Sequence, residues 1–75
     1  MTEQEFLWML DELLEEELGA LAGHELLVDL DAWESLTVIE FLALVDENFG
    51  VVLNPKDIAE CETVQDLLNL VPLDD

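Results

Sequence analysis

Apolar residues recur at three- and four-residue steps along most of this chain, and the runs break at glycine and proline. Thr2 followed by Glu5 has the spacing of a capping box, in which each side chain satisfies the other residue's free backbone N–H. Behind it Phe6, Leu10, Leu13, Leu14 and Leu18, with Leu7, predict a helix over residues 3–18. Asp11, Glu12, Glu15 and Glu16 fill the opposite side, and Gly19 ends the run where a left-handed C-cap strains least. Residues 19–31 read as a long loop, pinned to the core by Leu26, Leu27 and Val28 and able to hold a short turn of its own.

A second helix is expected from Trp33 or Ser35 to Phe49, stopped by Gly50. Helical spacing puts Val38, Ile39, Leu42, Val45 and Phe49 on one wide apolar face, with Thr37, Glu40, Glu47 and Asn48 on the other side. Leu44 falls among those polar residues and is expected to be exposed, as an apolar knob ringed by carboxylates. Asn54-Pro55 suits a helix start, so Lys56 to Glu60 predict one short helical turn. Thr63 and Asp66 repeat the capping logic for a last helix carrying Val64, Leu67, Leu68 and Val71 and closed by Pro72. No strand pattern stands out except Gly50-Val51-Val52-Leu53, too short to build a sheet. The outline is a single all-α domain, residues 1–75, of three or four helices in a small bundle.

Composition sharpens this outline. Twenty acidic residues stand against Lys56 alone, for a net charge of −19, yet 52% of the chain is apolar. That apolar content separates it from a disordered acidic tail. DNA and RNA are excluded as partners, because their phosphates need Lys and Arg, and anionic membrane surfaces are excluded for the same reason. No apolar run approaches the roughly 20 residues that span a bilayer. The N-terminus is acidic where a signal peptide would be basic, and one cysteine cannot form an intrachain disulfide, so a cytoplasmic setting is expected, and the chain is expected to be a monomer. A core this small hardly encloses a deep catalytic pocket. A partner should be basic.

Ser35 is the candidate that chemistry singles out. One reading makes its hydroxyl the cap of the second helix, but position 38 is Val, so no reciprocal box forms. In the other reading Asp31 and Glu34 cap the helix, leaving Ser35 free in the first turn, where a helix N-terminus favours phosphate. His24 and Cys61 lack what nucleophilic catalysis requires, since nearby acids would push a thiol pKa upward, and they are too few for structural zinc. An EF-hand counted from Asp29 puts Asp31 and Glu40 in register but places Trp33 and Glu34 where an oxygen ligand and glycine belong. Counted from Asp46, Gly50 falls one position early, so only diffuse cation binding by carboxylates is expected.

Taken together, the stretch Asp31-Ala32-Trp33-Glu34-Ser35-Leu36-Thr37-Val38-Ile39-Glu40-Phe41 resembles the Asp-Ser-Leu signature and acidic second helix of the acyl carrier proteins. Val45-Asp46-Glu47-Asn48-Phe49-Gly50 and Thr63-Val64-Gln65-Asp66-Leu67 extend the resemblance over nearly the whole chain. It implies a right-handed four-helix bundle with a long first loop. It also implies a 4′-phosphopantetheine on Ser35, flanked by Glu34 and Leu36, installed from coenzyme A with Mg²⁺ by a phosphopantetheinyl transferase. The arm's thiol, not Cys61, would hold acyl or aminoacyl groups as thioesters, and the carrier itself would catalyse nothing.

Further partners implied are a loading ligase and a ketosynthase or other enzyme of fatty-acid, polyketide or nonribosomal-peptide-like biosynthesis. Their basic patches would dock on Glu34, Glu40, Asp46 and Glu47, with Leu44 as the apolar contact. Two residues depart from the family pattern: Glu34 replaces the usual Asp, and Trp33 replaces a small residue. The Trp-acid-Ser-Leu variant fits stand-alone carriers of specialised pathways better than the housekeeping fatty-acid carrier, and Trp33 is expected to pack the loop on the core. The residues alone leave a rival open, an unmodified acidic helical module that docks a basic partner. Either way, so much like charge repels itself. Added salt or millimolar Mg²⁺ is expected to raise the melting temperature in a thermal scan, and a melting temperature indifferent to both would contradict it.

Overall fold

The computed structural model describes residues 1–74; Asp75, the last residue of the expected single domain, lies outside the described residues. Four helices follow one another: α1 over Glu3–Leu13, α2 over Ser35–Phe49, α3 over Pro55–Ala59 and α4 over Val64–Leu68. A 3₁₀ turn, Leu27–Asp29, sits in the long first loop. The fold is all-α, as the resemblance implies; extended pairing among the described residues amounts to one bridge between Leu26 and Thr63. The capping boxes form as their spacing suggests, Thr2 with Glu5 on α1 and Thr63 with Asp66 on α4. Asn54 caps α3, with Pro55 at its first position, and Gly50 ends α2 in the left-handed region at φ 66°.

Helix α1 corrects one expectation. It stops at Leu13 rather than Leu18, and Gly19 plays no part in the cap. Glu15 takes the left-handed conformation at φ 59°, its N–H donates to the Glu12 carbonyl at 3.1 Å, and the Glu16 N–H donates to the Asp11 carbonyl at 2.7 Å. These two bonds are a Schellman turn, here built on a residue other than glycine. The cause lies in Asp11, expected on the polar side but fully buried. Its carboxylate accepts the Gly19 N–H at 2.8 Å and the Leu21 N–H at 3.0 Å, which folds the chain back and buries Leu21. A helix continued to Leu18 would carry Gly19 roughly 12 Å along the axis from Asp11, beyond reach of either bond. Leu18 is instead 67% exposed.

The loop then satisfies the start of α4. Gln65 N–H donates to the Gly23 carbonyl at 2.8 Å, Val64 N–H to the Glu25 carbonyl at 3.0 Å, and Leu27 N–H to the Glu62 carbonyl at 2.9 Å. With Thr63 Oγ1 accepting the Asp66 N–H, the first three donors of α4 all find partners. Gly23 is buried at φ 122°, and a Cβ there would lie 3.1 Å from Gln65 Oε1, so this crossing requires glycine. Of the three apolar residues expected to pin the loop, Leu27 alone is buried, while Leu26 and Val28 are exposed. Burial raises the pKa of Glu25, but the Ala22 and Gly23 N–H groups on its carboxylate outweigh that and hold it below the usual range.

The core is organised by rings set edge to face. Phe6 of α1 meets Phe41 of α2 at 6.0 Å and Phe49 at 5.6 Å between centroids, and Trp33 meets Phe41 at 5.8 Å. Such pairs add about 0.5–1.5 kcal/mol each beyond burial. Phe41 therefore sets the inward face of α2, where Thr37, Phe41 and Val45 are buried. This is a rotation of the expected face. Ile39, expected inward, is 62% exposed; Thr37, expected outward, is buried; and Leu44, expected exposed, is half-buried against the core. Thr37 buries without an orphaned hydroxyl because it donates to the Ala32 carbonyl at 2.6 Å.

The turn after α1 predicts substitutions of opposite sign. Asp11→Ala strands two backbone donors and should cost about 3 kcal/mol. Glu15→Gly relieves the left-handed backbone and should gain up to about 1 kcal/mol. Urea-unfolding midpoints of both variants check the pair.

Candidate functional site

Helix α2 begins at a serine whose neighbours on both sides are held. The Trp33 N–H donates to the Leu30 carbonyl at 3.0 Å and its ring rests on Phe41, while Thr37 is tied to Ala32. Ser35 lies between these anchors, at the first helical position, and is exposed. Its hydroxyl has no hydrogen-bond partner among the described residues. Glu34 occupies the N-cap position in extended conformation, yet no side chain makes a cap bond. The expected cap by Asp31 and Glu34 side chains is therefore not formed, although the freedom of Ser35 is found. The first-turn N–H groups of α2 are left open, carrying the positive end of a helix of 15 residues.

Around Ser35, Glu34 and Leu36 are exposed, Leu36 to 60%. A groove of about 310 Å³ runs beside them, walled by Leu13 at the end of α1, Glu15 in the turn after it, and Glu34, Leu36 and Glu40. The outer side of α2 carries Leu36 and Ile39 towards its start, and Glu40, Asp46 and Glu47 beyond them. An apolar groove of about 300 Å³, lined by Leu27, Trp33, Val38, Ile58 and Cys61, opens between the 3₁₀ turn, α2 and α3. The exposed apolar side chains on this outer side are thus Leu36 and Ile39, while Leu44 is half-buried. Centring the helical pattern on Phe41, the large aromatic residue in the middle of α2, would have exposed Ile39 in advance.

His24 and Cys61 form no pair. His24 is exposed, and Cys61 is half-buried with its Sγ donating to the Asp57 carbonyl at 3.4 Å. Burial first, then the charges of Asp66, Asp57 and Glu60, push its thiol above the usual range. Among the described residues no three His, Cys, Asp or Glu side chains converge on a metal position, and no helix is long and apolar enough to cross a membrane.

A family profile described as the phosphopantetheine attachment site matches residues 9–71, which takes in α2, α3, α4 and part of α1. The chain belongs to this family. Phosphopantetheine-attachment domains carry a covalently bound 4′-phosphopantetheine, act as carriers and work with modifying and biosynthetic enzymes. They are in general not catalysts themselves. No curated protein and no solved structure matches the chain significantly.

A raised thiol pKa leaves little thiolate at neutral pH. Iodoacetamide should therefore alkylate Cys61 more slowly than a free thiol at pH 7, with the rate climbing only above the ordinary thiol range, as followed by mass spectrometry.

Proposed function

We propose that the chain bears 4′-phosphopantetheine on Ser35 and delivers acyl or aminoacyl groups to enzymes of fatty-acid, polyketide or nonribosomal-peptide-like biosynthesis. The observation that carries this reading is the Ser35 hydroxyl itself, exposed, unpartnered among the described residues and set on a helix start that no side chain caps. Open N–H groups and the helix dipole suit a phosphodiester at that point. When bound, the arm supplies a terminal thiol that holds cargo as a thioester.

The protein's own residues supply position and recognition. Trp33 and Thr37 fix the segment on either side of Ser35, so the attachment point moves with the helix rather than with the loop. Glu34 and Leu36, next to the serine, offer a charge and an apolar contact to the transferase. Glu40, Asp46 and Glu47 steer basic patches of the transferase, loading ligase and ketosynthase, which speeds encounter in a salt-dependent way. Leu36 and Ile39 give the apolar contact on docking, and Leu44 backs the helix from below. The groove beside Trp33 and Val38 offers apolar surface for cargo. A single domain working as a cytoplasmic monomer fits a charge of −19, which opposes self-association.

Intact mass after incubation with coenzyme A, Mg²⁺ and a broad-specificity phosphopantetheinyl transferase tests the reading. Wild type should gain one phosphopantetheine and Ser35→Ala none, with the variant's melting temperature close to wild type because the site is exposed. A gain on Ser35→Ala would overturn the assignment of the residue. No gain on either protein with several transferases would favour the unmodified docking module.

A further inference from the structure

Helix α1 has an outer face that the carrier role does not use. Phe6, Leu7 and Leu10 point into the core, whereas Trp8 is 45% exposed. The turn after α1 brings Leu18 to the same side, and Met1, Trp8, Met9 and Leu18 line a groove of about 370 Å³ with Glu5 and Glu12. Leu18 contributes nothing to the core, and an indole beside an exposed leucine is a large apolar surface to leave to water. The groove shares Met9 and Glu12 with a neighbouring one that reaches Glu40 and Leu44 of α2, so the surface runs on towards the acidic side of that helix.

We propose that this face is a second docking surface, which takes a basic amphipathic segment of a partner protein with its apolar side against Trp8 and Leu18. Charge selects the occupant. Neither groove contains a cationic side chain, and the N-terminal amine at Met1 is paired with Asp74 at 2.7 Å. Glu5 is held in place by the Thr2 N–H at 2.9 Å, and its carboxylate lies below the usual pKa range because that N–H favours the charged form. A second copy of the chain would bring its own −19 to these carboxylates and be repelled. An anionic lipid surface meets the same repulsion. Lys or Arg flanking a leucine or aromatic ridge answers both the charge and the apolar floor. No residue of the groove that holds Trp8 and Leu18 lines the groove beside Ser35, and docking there needs no modification of the serine.

Titration of ¹⁵N-labelled protein with a synthetic amphipathic peptide of leucine and lysine, followed by amide shifts and the Trp8 indole signal, tests this. The control is a peptide of equal charge with alanine in place of leucine. The leucine peptide should shift Glu5, Trp8, Met9, Glu12 and Leu18 first, and the alanine peptide should bind at least about tenfold more weakly. Leu18→Ser should weaken the leucine peptide by about tenfold, and Ile39→Ser should leave it unchanged. Equal affinity for the two peptides, or shifts confined to α2 or spread over all carboxylates, would overturn the proposal. So would self-association in sedimentation equilibrium that Leu18→Ser abolishes, which would assign the face to a second copy. Ser35→Ala should titrate like wild type, and Leu18→Ser should still accept phosphopantetheine, so failure here and failure of the carrier reading are distinguishable.

Discussion

Asp11 is the residue on which the layout turns. Its backbone carbonyl takes the Glu16 N–H and closes α1, and its buried carboxylate takes the N–H groups of Gly19 and Leu21 and starts the loop. Three donors that a broken helix would leave orphaned end on one amino acid. Because the chain is reversed there, Leu21 enters the core and Gly23 arrives where α4 needs an acceptor. Without that reversal the loop could not cross α4 at Gly23, and α4, only five residues long, would lose the acceptors for two of its first donors.

The second constraint is aromatic. The rings of Phe49, Phe6, Phe41 and Trp33 follow one another edge to face, joining α2 to α1 and then to the segment before Ser35. Fixing Phe41 inward settles the rotation of α2, which turns Leu36 and Ile39 outward beside the acidic residues. The same rotation holds Ser35 in the open while its neighbours are tied down. Rigidity behind the hydroxyl and freedom around it arise from one packing choice.

Local sequence carries a large part of this fold. Both capping boxes, the bounds of α2, the Gly50 stop and the Asn54-Pro55 start depend on neighbours three or four residues apart, so short-range spacing reveals them. Ser35 stands out for a similar reason, since its place in the first turn follows from the helix bounds. The features that spacing does not reveal depend on contacts across the chain. An aspartate among acidic neighbours gives no sign that its partners lie eight and ten residues on. Leu18 fits the helical period and is nonetheless outside the helix. Thr37 and Leu44 escape a reading that weighs side-chain polarity above the bulk of Phe41, because a hydroxyl with an acceptor at Ala32 buries readily.

The scarcity of cations has a practical side. Lys56 is the only lysine or arginine in the chain, and it sits in the first turn of α3, its N–H bonded to Asn54 Oδ1 at 3.0 Å. A protease that cuts after basic residues therefore has a single bond to attack, the one between Lys56 and Asp57. That bond is wound into a helix and must be drawn out into an extended strand to enter a protease cleft. Nicking by trypsin thus becomes a one-site clock, ticking only when α3, whose sole buried side chain is Ile58, unwinds from the rest of the fold.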